Sequence, residues 1–148
     1  MTKKVLAYIT RHHQGTRQLL VYKLPHAPLQ ECHIPGGPLE FGEREEEALY
    51  RTIEDASGLI HLQFIQKLAV FSYYNGSYSN SQEYHTFQVE SLEKPLDSWK
   101  HVLDGFEDFE DSVEVELFWI PLCQAKTLLQ EIPARALDHL FDAEREDA

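Results

Sequence analysis

The chain has 148 residues, 43% of them hydrophobic, which is enough for one good globular core and predicts a single domain over residues 1–148. Its formal net charge is −12, with 25 acidic side chains against 13 basic ones, so a nucleic-acid polymer is not an expected partner: no basic run could neutralise a row of phosphates. No apolar run approaches the roughly 20 residues of a membrane span, and Cys32 and Cys123 lie far apart with no CxxC, as free thiols of a reducing cytoplasm would.

The first residues, MTKKVLAYIT, hold no signal-peptide core and run directly into a strand pattern. Lys4 to Thr10 alternate and are rich in Val, Ile and Tyr; Arg17 to Leu24 read as a second strand, with Arg11 to Thr16 as the turn between them. Pro25 to Cys32 is a loop broken by Pro25 and Pro28. His33-Ile34 leads as a short strand into the Gly-rich turn Pro35-Gly36-Gly37. From Glu43 the residues favour a helix, and Ser57-Gly58 stops it, with Gly58 placed to take the left-handed cap. Leu49, Ile53 and Ile60 give that helix an apolar face for a sheet.

Ile60 to Tyr74 predicts one long strand or two joined ones, Asn75-Gly76-Ser77 a turn, and Gln82 to Glu90 another strand. Ser91 to Ser112 reads as polar and irregular. Val113 to Ile120 is a strand, and Gln124 to Gln130 and Ala134 to Glu144 are two helices separated by Pro133. This order suits an α+β domain, a mixed β-sheet covered by helices.

The centre of the chain is Ile34 to Leu59, IPGGPLEFGEREEEALYRTIEDASGL, a loop, a helix and a loop dense in carboxylates. Hard divalent cations take oxygen ligands, so such a stretch suggests a metal site. It resembles the Nudix box, the signature of hydrolases acting on nucleoside diphosphates linked to a further group. Gly37, Glu43, Arg51, Ile53, Gly58 and Leu59 stand at the spacing of that pattern, with the accessory Gly36, Glu40, Gly42 and Ala48. The resemblance implies a Nudix-like α/β/α sandwich, catalytic roles for Glu43, Arg51 and Asp55, and a ligand-binding loop at Gly36, Gly37 and Glu40. It implies Mg²⁺ or Mn²⁺ as cofactor if the chain is active, held in part by Asp55, and none if it is not.

The chain departs from the pattern where the family's metal-binding glutamates stand. Those three positions hold Thr52, Asp55 and Ala56. Thr52 offers a neutral oxygen and Ala56 nothing, so three carboxylates have become one. Two accounts of the remaining charges stay open: a Glu47–Arg51–Asp55 ladder of i,i+4 ion pairs, or metal ligation by a reorganised set. The expectation is a hydrolase-like domain for a nucleoside diphosphate derivative with metal-dependent catalysis weakened or lost. The alternative is a non-catalytic nucleotide-binding or protein-interaction module on the same scaffold. The partner is then a small nucleotide-like ligand, not a membrane, with a homodimer left open. Glutamates introduced at 52 and 56 would be expected to join Asp55 and raise metal affinity.

Other candidates compete with plainer explanations. The acidic segment Asp104 to Glu116, with Glu107, Asp108, Glu110 and Asp111, supplies either a further metal ligand or a solvated loop. Phe71, Tyr73, Tyr74, Tyr78, Tyr84 and Phe87 suit either base stacking or sheet packing. Arg11, Arg17, Lys23 and Arg44 are phosphate contacts or ordinary surface charges. The histidines, His85 and His101 among them, show no metal-ligand spacing.

Overall fold

A computed structural model of the protein describes residues 2–74, 81–93, 97–103, 112–129 and 137. β1 (Thr2–His13) and β2 (Thr16–Lys23) form an antiparallel hairpin. Gln14 and Gly15 close it with φ of 51° and 78°, the pair of left-handed residues whose twist matches that of the strands. The turn is thus shorter than the expected Arg11–Thr16, because Arg11, His12 and His13 still pair with Gln18, Arg17 and Thr16.

β3 (Gly36–Pro38) lies antiparallel to β1 at Lys4–Leu6, so the expected Gly-rich turn is a short strand. Of Gly36, Gly37 and Gly42 only Gly42 has positive φ, 77°. Gly36 is required by proximity instead: a Cβ there would stand 2.3 Å from the Val5 carbonyl oxygen.

α1 (Glu45–Ser57) starts two residues after the expected Glu43, with Arg44 as its extended N-cap residue. Glu45, Glu46 and Glu47 fill its first turn, where negative charge favours the helix dipole. The helix ends as its sequence predicts. Gly58 takes φ 81°, and its N–H donates to the Glu54 carbonyl at 2.8 Å. A valine there would be strained by its backbone and would meet the His101 ring at 3.4 Å. Gly58→Val is expected to cost about 1–2 kcal/mol or more, read as a lowered melting temperature; an unchanged melt would show that the left-handed cap is dispensable.

The remaining elements are β4 (Leu62–Tyr74), β5 (Ser81–Ser91), β6 (Ser98–Leu103), β7 (Val113–Pro121), a 3₁₀ turn at Leu122–Gln124 and α2 (Ala125–Leu128). β6 corrects the reading of 91–112 as irregular. Trp99, His101 and Leu103 alternate inward with Ser98, Lys100 and Val102 outward, a period-2 strand that exposed Val102 and the charged neighbourhood disguise. The expected turn at Asn75–Ser77 and the final helix over 134–144, Leu137 excepted, lie outside the described residues.

The strands make one mixed sheet in the order β4-β5-β1-β2-β7-β6, with β3 on β1. Only β1 and β5 run parallel. One face carries Val5, Ile9, Leu20, Phe87 and Leu117 against Leu49 and Ile53 of α1. The other carries Tyr8, Leu19 and Val21 against Cys32, Ala125 and Leu137. The result is an α+β sandwich of helices on both faces of a mixed sheet. Among the described residues, no helix is long and apolar enough to cross a membrane.

Candidate functional site

The loop between β3 and α1 is tied by one ion pair. Arg51 Nε donates to Glu43 Oε2 at 2.8 Å, and Nη2 donates to Glu43 Oε1 at 3.0 Å and to the Pro38 carbonyl at 2.9 Å. Glu43 Oε1 also accepts the Glu40 N–H at 2.9 Å, and the Glu43 N–H donates to the Glu40 carbonyl at 3.0 Å. Glu43 and Arg51 stand eight residues apart, one before the helix and one two turns into it, and their fork-to-fork contact fixes the path between them. The third guanidinium nitrogen, Nη1, has looser neighbours: Asp55 at 3.6 Å and Glu40 at 3.8 Å, both well exposed. Such pairs contribute little.

Charge follows geometry here. The Arg51 hydrogen bond, aided by the Glu40 N–H, holds the Glu43 carboxyl below the ordinary glutamate range, and Glu43 in turn raises Arg51. A carboxyl depressed in the folded state stabilises the fold above its unfolded pKa, and that contribution disappears as pH falls through the folded value. Glu43→Gln is therefore expected to melt below wild type at neutral pH. The gap should close as pH drops below the ordinary value of 4.5. Melts at pH 7, 4.5 and 3 check this, and a gap independent of pH would remove the ion pair from the account.

The Glu47–Arg51–Asp55 ladder forms only in its second half. Glu47 turns to Arg44 at 3.4 Å, and Arg51 is drawn to Glu43 instead, which is less exposed and meets it with two oxygens. Of the three positions where the resemblance implies metal ligands, two are buried and one is exposed. Thr52 is buried, its hydroxyl donating to the Leu49 carbonyl at 3.1 Å and its methyl lying beneath Gly37. Ala56 is buried in the apolar cluster with Ile53, Leu59 and Trp119. Leu24, Leu39, Trp99 and Leu103 pack against that cluster from outside. Asp55 alone faces solvent. One exposed carboxylate paired to an arginine does not fit a divalent cation, which takes several oxygen ligands. Among the described residues, no group of three or more His, Cys, Asp or Glu is arranged to hold a metal ion.

β6 closes the far end of the helix. The Trp99 indole N–H donates to the Ser57 carbonyl at 3.0 Å, and His101 Nε2 donates to the Asp55 carbonyl at 3.0 Å. Two helix-end carbonyls that would otherwise need water are thereby satisfied. Beside them lies an open cavity of about 410 Å³ lined by Glu54, Asp55, Gly58, His101 and Val102. Trp99 and His101 were not legible as site residues. The only signal was the alternation of SWKHVL, and nothing in it points to α1.

The other sequence candidates have partners within the chain. Arg11 lies 4.4 Å over the Trp119 ring and bonds Gln18 and Asp97. Arg17 faces Glu90 at 3.5 Å, and Lys23 reaches the Leu24 and Pro25 carbonyls. Phe71 stacks on Tyr84 on one face of the sheet, and Phe87 meets Phe64. Tyr78 and residues 104–111 of the acidic segment lie outside the described residues, as do the side chains of Tyr73 and Tyr74. Glu114 and Glu116 pair with Lys100 and Lys23. Both cysteines are free, and burial pushes the Cys32 thiol up to about 11 against the opposing pull of Lys23.

No protein-family model matches the sequence, and no curated protein does. The fold is similar to that of C. elegans Ap4A hydrolase in a binary complex, at 14% identity over 100% of both chains and a TM-score of 0.70. It is similar to the MutT protein of Bacillus halodurans, at 17% identity over 95% of this chain and 82% of that one, TM-score 0.64. The NUDIX domain of Shewanella oneidensis NrtR, complexed with ADP ribose, matches at 13% identity over 98% of this chain and 85% of that one, TM-score 0.58. The protein has the Nudix fold.

Proposed function

We propose that this chain is a Nudix-fold domain that binds a nucleoside diphosphate derivative, with metal-dependent hydrolysis weakened or lost. The observation that carries the second half is that Asp55 is the one carboxylate of the three box positions, with Thr52 and Ala56 buried at the other two. Neither Mg²⁺ nor Mn²⁺ is assigned to it, and no chemical step is derived through a metal. The ligand class is supported by the fold's likeness to a protein named an Ap4A hydrolase and to a domain complexed with ADP ribose.

In this reading Glu43 and Arg51 keep the loop Gly36–Gly42 in one shape, so that Gly37, Glu40 and the cavity beside Asp55 meet a ligand without reorganisation. The free thiols suit a cytoplasmic domain. A second reading, a protein-interaction module, is favoured by Phe41, which the box loop holds fully exposed.

Calorimetric titration with Mg²⁺ and Mn²⁺, turnover assays, and melts with ADP-ribose, Ap4A and nucleoside diphosphates test the proposal. The expected result is stabilisation by at least one nucleotide, weak metal binding and little turnover. Robust metal-dependent turnover would overturn the loss of catalysis. Stabilisation by no nucleotide would favour the interaction module.

A further inference from the structure

His85 sits on β5, on the sheet face that α1 covers, with its side chain 8% exposed. Three charged groups surround it. Glu83, on the same strand, places Oε1 2.5 Å from Nε2. Glu45, the first residue of α1, places its Oε1 against Nδ1. Lys67 of β4 puts Nζ 2.9 Å from that same Nδ1 and 3.5 Å from Glu45 Oε1. β1 contributes only Val5, opposite in register.

Nδ1 therefore faces an acceptor and a donor together, and one ring nitrogen cannot donate to a carboxylate while accepting from an ammonium. Nε2 faces only the acceptor Glu83, so it keeps its hydrogen in either form. With a proton on Nδ1 the ring donates to Glu45 and Glu83 at once, and Lys67 is repelled. Without it, Nδ1 accepts from Lys67, and Glu45 faces a lone pair and keeps only Lys67.

We propose that His85 is a proton-operated selector, binding the first residue of the box helix in its charged form and Lys67 of β4 in its neutral form. Glu45 stands two residues after Glu43, so the proton on His85 bears directly on how the helix start and the Glu43–Arg51 contact are held. The ring is largely shielded from water, while Glu45 and Lys67 remain partly exposed. The device is independent of whether the box binds metal or nucleotide.

The test is nitrogen-15 and carbon-13 NMR of the full chain from pH 5 to 8.5, with the ring signals assigned through bonds to the His85 amide in wild type. The neutral ring is expected to carry its proton on Nε2. On acidification Nδ1 should gain a proton, and the Glu45 carboxyl and Lys67 ε signals should move with the same midpoint. Glu45→Gln should shift that midpoint to lower pH and Lys67→Met to higher pH. A neutral ring protonated on Nδ1, or Glu45 and Lys67 signals that ignore the His85 transition, would overturn the proposal, and neither readout depends on a variant that folds poorly.

Discussion

Gly36→Ala is expected to be among the most damaging single-methyl changes available in this protein. The new Cβ would stand 2.3 Å from the Val5 carbonyl and 2.9 Å from a Leu6 methyl. The first contact is with backbone inside β1, which is held by β2 and β5 as well as β3, so the strand has nowhere to shift. Either the three β1–β3 pairs break or the sheet distorts. Overpacking of this kind against backbone costs about 3 kcal/mol, roughly a 10 °C fall in melting temperature for a domain of this size. Gly37→Ala provides the contrast, because its Cβ would meet only the Thr52 methyl at 3.4 Å, and it should cost less than about 1 kcal/mol. Gly42→Ala enters open space but at φ 77°, which places it between the two at about 1 kcal/mol. Chemical denaturation of the three variants gives the ranking. If Gly42→Ala were the worst, the loop's shape would rest on its left-handed residue and not on the approach of β3 to β1.

The sequence revealed most of the sheet because its strands obey local rules. The apolar runs in β1, β2 and β7 are set by burial on both faces of the sheet, and the left-handed stop at Gly58 is set by one residue. What failed was decided at a distance. Gly36 and Gly37 carry the composition of a turn, yet the reason for Gly36 is a carbonyl thirty-one positions earlier, which no local window contains. β6 was hidden because Val102 faces solvent and Trp99 is used as a hydrogen-bond donor to a helix.

The site was legible in the same partial way. The spacing of Glu43 and Arg51 carried the resemblance, and the structure joins them. Their pairing could not be distinguished in sequence from a Glu47–Arg51 ladder, since Arg51 can reach either glutamate from the helix. Burial of the Thr52 and Ala56 positions was beyond sequence too. It depends on the approach of Gly37 to Thr52 and on a cluster that joins Ala56 to residues as distant as Val5 and Trp119. His85 reads as an isolated histidine for the same reason: two of its three charged neighbours come from α1 and β4.

Thr52→Glu with Ala56→Glu is the change that sequence alone would choose to rebuild a metal site around Asp55, and the packing reverses the expectation. Thr52 is 5% exposed and Ala56 3%, and Ala56 belongs to the apolar cluster beneath the helix. A carboxylate forced into such a place is protonated or pushes its neighbours apart, and either outcome costs several kcal/mol. Two of them approach the whole stability of a typical domain, about 5–15 kcal/mol. The double variant is expected to lose cooperative melting, and Ala56→Glu alone to melt far below wild type. Asp55→Glu is the control: its position is exposed, and it should change stability by no more than about 0.5 kcal/mol. The deciding measurement is the melt of each variant with and without millimolar Mg²⁺ or Mn²⁺. A cation that bound the folded double variant would restore its melting temperature by mass action. No such rescue is expected, because positions 52 and 56 are both buried. A metal-dependent rise would show that the packing around positions 52 and 56 can move aside, and that the box retains the space for a cation once it is given the ligands.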